Sequence, residues 1–88
     1  MVRRRMVFTG WVQGVGFRYR AKYAAERYGC TGWVRNEWDG SVTMELQGGE
    51  REIESVLKEL RGSRFLWIEN TQTSTVPQIP DERDFKVM

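Results

Sequence analysis

An α+β fold, in which a four-stranded antiparallel sheet carries two helices on one face, is what this sequence predicts, on three observations. The hydrophobic period switches between two and 3.6 residues along the chain, strand-like to helix-like and back, twice over. Glycines stand at the switches: Gly14 and Gly16, Gly29, Gly48 and Gly49, and Gly62. Asp39-Gly40 joins two of the strand-like runs directly, as a two-residue type I′ hairpin turn does.

Residues 4–12 mix Met6, Val7, Phe8, Trp11 and Val12 with Thr9 and read as the first strand. From Phe17 the apolar positions become Phe17, Ala21, Ala24, Ala25 and Tyr28, one face of an amphipathic helix. Gly29 follows, where a helix end accepts a residue at positive φ. Residues 30–38 form the second strand, centred on Trp33 and Val34. Residues 41–47 alternate strictly, with Val42, Met44 and Leu46 on one side and Thr43, Glu45 and Gln47 on the other, the pattern of a strand with one solvated face. Residues 50–60 return to the helical period through Ile53, Val56, Leu57 and Leu60, with Glu50 and Glu52 near the positive end of the helix dipole. Residues 64–73 are rich in aromatic and β-branched types and read as the fourth strand. Pro77 and Pro80 mark a loop, and residues 85–87 a short closing strand at an edge. The order β-α-β-β-α-β is the ferredoxin-like plan, which by itself decides nothing about function.

Eighty-eight residues suit one domain, expected to span residues 1–88. Hydrophobic content is 40%, with eleven aromatic residues to fill a core. Cys30 is the only cysteine and there is no histidine. An intramolecular disulfide is therefore impossible, histidine-based catalysis is excluded, and zinc lacks its usual ligands. The net charge is a mild +2. Arg3-Arg4-Arg5 reads as a solvated strand entrance, with a field for anions or a nucleic-acid contact as the functional alternative. No apolar run reaches the roughly 18–20 residues of a membrane span, and no signal-peptide core follows Met1. A cytoplasmic monomer without membrane contact is the expectation.

Chemistry concentrates where the first strand meets the first helix, in Gly10-Trp11-Val12-Gln13-Gly14-Val15-Gly16-Phe17-Arg18. Two glycines before a helix can turn several main-chain N–H groups toward one point, an anion nest beside the positive helix end. Arg18 falls in the first helical turn, and its planar guanidinium suits a phosphate. The plain alternative is a tight turn needing glycine, with Arg18 merely exposed. The Walker phosphate loop is excluded because no Gly-Lys-Ser/Thr is present. A dinucleotide fingerprint would need glycine where Tyr19 stands.

The run Val12-Gln13-Gly14-Val15-Gly16-Phe17-Arg18, with Gly29, Gly32-Trp33-Val34-Arg35-Asn36 and Asp39-Gly40-Ser41-Val42, resembles the acylphosphatase family. The likeness extends over essentially the whole chain, to the aromatic-x-Val ending Phe85-Lys86-Val87. It implies hydrolysis of the carboxyl–phosphate bond of small acyl phosphates, without metal or organic cofactor. It also implies that Arg18 and Asn36 are the catalytic residues. Gln13, Gly14, Val15, Gly16 and Phe17 would cradle the phosphate through their N–H groups, and inorganic phosphate or sulfate would occupy the same loop. Elementary chemistry agrees. A carboxylate leaves without protonation, because its conjugate acid has a pKa of roughly 4, so holding the phosphoryl group and aiming a water suffice. The amide of Asn36 can orient a water, although asparagine before a hairpin can also serve the backbone alone.

This chain departs from the family pattern at Trp11, where a basic residue is usual, and at Tyr28 and Cys30, where leucine is usual. Residues 74–83 also look less like the family. Two other functions compete. An acylphosphatase-like module could bind an anion, a carbamoyl phosphate-type ligand or a protein without catalysis. An RNA-recognition domain shares the element order, but its third strand carries aromatics for base stacking, and residues 41–47 have none. No nucleic-acid partner is expected.

Overall fold

The computed structural model describes residues 1–88. Its elements are β1 (Val2–Trp11), α1 (Phe17–Arg27), β2 (Thr31–Asn36), β3 (Val42–Gly48), α2 (Glu50–Arg61), β4 (Trp67–Thr75) and β5 (Phe85–Val87). The sheet runs β4-β1-β3-β2-β5. Its first four members pair antiparallel, and β5 adds parallel to β2 at the edge. This is the predicted ferredoxin-like arrangement, with the short closing strand in place.

The core lies between the sheet and the helices. α1 contributes Phe17, Ala21, Ala24 and Ala25, and the alanines let it approach the sheet closely. α2 contributes Ile53, Val56, Leu57 and Leu60. Burying four such aliphatic chains, at about 1.5–3 kcal/mol each, is what holds this helix to the sheet. They meet Met6 and Phe8 of β1 and Val42, Met44 and Leu46 of β3.

The opposite face of β3 is not solvated, contrary to the alternation pattern: Thr43, Glu45 and Gln47 are buried. Residues 76–84 cross over it. Gln47 donates to the Ile79 carbonyl at 2.9 Å and accepts from the Ile79 N–H at 2.8 Å. Arg3 is likewise not at a solvated entrance. It is 1% exposed, and its guanidinium donates to Glu45 at 2.6 Å and to both carboxylate oxygens of Glu82 at 2.7 and 3.1 Å. Burial alone would lower the Arg3 pKa, but the bonds to Glu82 and Glu45 outweigh it and hold the group above its usual range.

Two turns also differ from expectation. Asp39-Gly40 does not form a type I′ turn, since Gly40 has φ +92° but no non-glycine residue has positive φ. Gly40 N–H donates to the Glu37 carbonyl and Glu37 N–H to the Ser41 carbonyl, a type I turn closed by a left-handed glycine. Asp39 favours this form by accepting bonds from the Ser41 N–H and hydroxyl. The fourth strand begins at Trp67 instead of residue 64, because the Ser63 hydroxyl accepts the Phe65 N–H and holds a turn there.

One irregularity shapes the end of the sheet. The β1–β4 register shifts between Thr9↔Asn70 and Gly10↔Ile68, leaving Glu69 as an extra residue in β4. A one-residue slip reverses the faces of a strand. Ile68 therefore packs against the core, while Trp67 stands directly opposite Trp11. Gly10 (φ +123°) is required here, since a Cβ on it would lie 2.5 Å from the Trp67 carbonyl oxygen.

Candidate functional site

The β1–α1 connection is fastened at both ends by buried side chains. Val12 and Phe17 are buried, and the Phe17 ring meets Phe8 with centroids 5.1 Å apart. Between them φ alternates in sign: Gly14 at +75°, Val15 negative and Gly16 at +80°. Neither glycine is crowded, so backbone conformation and not space selects them. Alternation of this kind brings successive N–H groups onto one concave side. The N–H groups of Gln13, Gly14, Val15 and Gly16 meet no acceptor in the protein. α1 starts with no side-chain cap and no acidic residue in its first turn. Its leading N–H groups and dipole are thus free for an anion.

Arg18 lies in that first turn, and its guanidinium donates to the main-chain oxygen of Met88 at 2.8 Å. Met88 N–H is in turn bonded to the Val34 carbonyl of β2. The cation is therefore steadied by the strand that carries Asn36, and the rest of its fork is left without a protein acceptor. A second cation is near: a Cβ on Gly16 would lie 3.7 Å from Arg20 Nε. Arg18 is consequently not the only full charge beside the turn, although the Arg20 guanidinium is stacked over the Phe65 ring at 4.4 Å.

Asn36 is the last residue of β2, paired with Val42 across the hairpin. Its Oδ1 is buried and accepts no hydrogen bond from the protein. The side chain does not cap the hairpin; Asp39 does that. An unpartnered buried acceptor costs about 1–3 kcal/mol, so this side chain adds no hydrogen-bond stability to the hairpin.

Gln13 joins the two halves of the site. Its side-chain amide donates to the carbonyls of Glu37 at 2.7 Å and Ser41 at 2.8 Å, the residues that close the hairpin just after Asn36. The sequence pointed chiefly to the main chain of Gln13 and gave no sign of this clamp, which links residues 24 and 28 positions apart. Nothing local in the sequence signals it.

The two carboxylates of the hairpin are unsuited to act as bases. Hydrogen bonds from Arg35 and then Thr43 hold the Glu37 carboxyl below its usual pKa, and those from Ser41 do the same for Asp39. Both are poor bases. Burial, with the Glu52 charge adding to it, pushes the Cys30 thiol up to about 11, so it is an inert core residue. Nowhere do three Asp, Glu or Cys side chains gather as a metal-ligand set. No helix is long and apolar enough to cross a membrane.

Known proteins resemble this chain over nearly its whole length. The acylphosphatase of Clostridium acetobutylicum is 41% identical over 80 residues, covering 90% of this chain and 88% of its own. That of Bacillus pumilus is 36% identical over 88 residues, covering 99% and 98%. The crystal structure of acylphosphatase from Bacillus subtilis superposes with a TM-score of 0.90 at 29% identity, covering 100% of this chain and 99% of its own. The acylphosphatase family model itself matches residues 4–87, nearly end to end, and the chain belongs to that family.

Proposed function

We propose that the hydrolysis of acyl phosphates, the reaction of this family, is carried out in this chain by Arg18, Asn36 and the main chain of residues 13–17. The observation that carries this reading is one juxtaposition. A turn of unaccepted N–H groups is clamped by Gln13 against the strand end that bears the unpartnered Oδ1 of Asn36. The turn and Arg18 hold the phosphoryl oxygens and offset their charge in the transition state. A water held by the Asn36 side-chain amide keeps a lone pair free for phosphorus. As that oxygen bonds phosphorus, the bridging P–O bond breaks and its electron pair leaves on the carboxylate. The water proton passes to a phosphoryl oxygen of the substrate, so no protein base is needed. The products are a carboxylate and inorganic phosphate.

Inorganic phosphate or sulfate fits the same turn and inhibits by filling it. One chain supplies every group of the site, which supports a monomer. The free thiol of Cys30 is in keeping with a cytoplasmic protein. An RNA-binding role has little support, because the sheet face that would stack bases lies under residues 76–84 and its third strand carries no aromatic residue.

Asn36→Ala tests the division of labour. The side chain makes no bond within the protein and leaves a buried acceptor unpaired, so stability should hold or rise. kcat should fall about 100-fold or more, by analogy with the loss of one aligned polar group in other active sites. The inhibition constant for phosphate should stay within twofold. Steady-state kinetics with phosphate as inhibitor reads both, and equal losses would make Asn36 a phosphate ligand instead. The scheme also asks nothing of a metal, because the leaving carboxylate needs no Lewis acid. Hydrolysis after exhaustive EDTA treatment should match the untreated rate, whereas activity lost to the chelator and restored by one particular metal would overturn this mechanism.

A further inference from the structure

Beside the phosphate turn lies a groove of about 290 Å³, lined by Trp11, Val15, Phe65, Leu66 and Trp67, with Arg64 as its only polar member. Its size is near the lower end for small-molecule sites, about 300 Å³ and upward. Trp11 and Trp67 are 73% and 68% exposed, an unusual placement for two neighbouring tryptophans. The bulge at Glu69 creates this pairing, since without it Trp67 would face the core and Ile68 the solvent. The groove is continuous with the turn, because Val15 lies between Gly14 and Gly16 of the nest and also lines the groove.

Resting on the function proposed above, we infer that this groove is the subsite for the acyl group, and that the protein selects acyl phosphates with an apolar, extended acyl chain. A phosphoryl group seated in the turn leaves its acyl substituent outside the nest, and the apolar surface adjoining Val15 is the one within reach. Apolar walls reward methylenes: each one fully covered is worth about a fourfold gain in binding. Trp11 is central, since a basic residue at that position would present a charge to the chain and not a ring.

The test compares acetyl phosphate with hexanoyl phosphate, whose leaving carboxylates are of nearly equal basicity, so that a difference reports binding and not leaving ability. In the wild type, kcat/KM for hexanoyl phosphate should exceed that for acetyl phosphate tenfold or more. In Trp11→Ala/Trp67→Ala that ratio should fall at least fivefold, the exposed positions leaving the core intact. A second arm needs no turnover: hexylphosphonate should bind the wild type at least tenfold more tightly than methylphosphonate, and inorganic phosphate should displace it. Equal kcat/KM and equal phosphonate affinities in the wild type, or a double variant that keeps the wild-type ratio, would overturn the subsite while leaving acyl phosphate hydrolysis standing. A wild type that hydrolyses neither acyl phosphate yet prefers hexylphosphonate would overturn the function and keep the groove.

Discussion

Arg18→Ala is expected to lower kcat/KM for acyl phosphates about 1000-fold or more, and to abolish inhibition by inorganic phosphate. In the proposed mechanism the neutral N–H groups of residues 13–17 orient the phosphoryl group, but the full charge on its oxygens needs a cation, and cations aimed at transferring phosphoryl groups are worth about 10³–10⁵ in rate. Arg20, stacked over the Phe65 ring, remains beside the turn as a background cation, which is why the loss is set at the lower end of that range. Arg18→Lys should recover less than a tenth of the loss, since an ammonium cannot keep one bond to the Met88 oxygen while presenting a planar fork to phosphate. The fold should persist. Arg18 makes one hydrogen bond at the surface, so thermal unfolding should shift by no more than about 1 kcal/mol in stability. A variant that retains turnover within tenfold of the wild type would remove Arg18 from the mechanism, and one that melts early would make its role structural.

What could be read from the sequence was whatever rests on neighbours in the chain. The face Ile53, Val56, Leu57 and Leu60 and the strand at residues 42–47 are short-range patterns, and the structure keeps the helix face and the strand but not the strand's solvated side. So is the spacing of Gly14, Gly16 and Arg18, because a turn and the helix that follows it are one local unit. What escaped depends on partners far apart. Glu45 and Gln47 looked solvated because the segment that buries them begins nearly thirty residues later. The extra residue Glu69 exists only as a mismatch between two strands. Asn36 was legible as a residue, but the absence of any partner for its Oδ1 was not.

The same long-range network gives the largest expected change in stability. Arg3→Met should destabilise the fold by about 3 kcal/mol, the lower end for breaking a buried ion pair, because Arg5 still reaches the second oxygen of Glu45 at 3.0 Å. Glu82 has no such substitute. It is bonded to Arg3 through both oxygens and faces the buried side of residues 76–84. With Arg3 gone, its carboxylate must either stay desolvated without a cation or pull the segment away from β3. Native domains hold only about 5–15 kcal/mol in all, and for a chain of this size 3 kcal/mol corresponds to about 12–24 °C in Tm. Adding Glu82→Gln to Arg3→Met should restore about 1 kcal/mol, since the neutral amide no longer buries a charge, whereas Glu82→Gln alone should destabilise. Urea unfolding of the four proteins reads the coupling, and limited proteolysis reads its location: Arg3→Met should be cut faster within residues 76–84 than anywhere else. A loss below about 1 kcal/mol with unchanged proteolysis would mean that Arg5 and the Gln47–Ile79 bonds hold that segment unaided, leaving Arg3 a passenger beneath it.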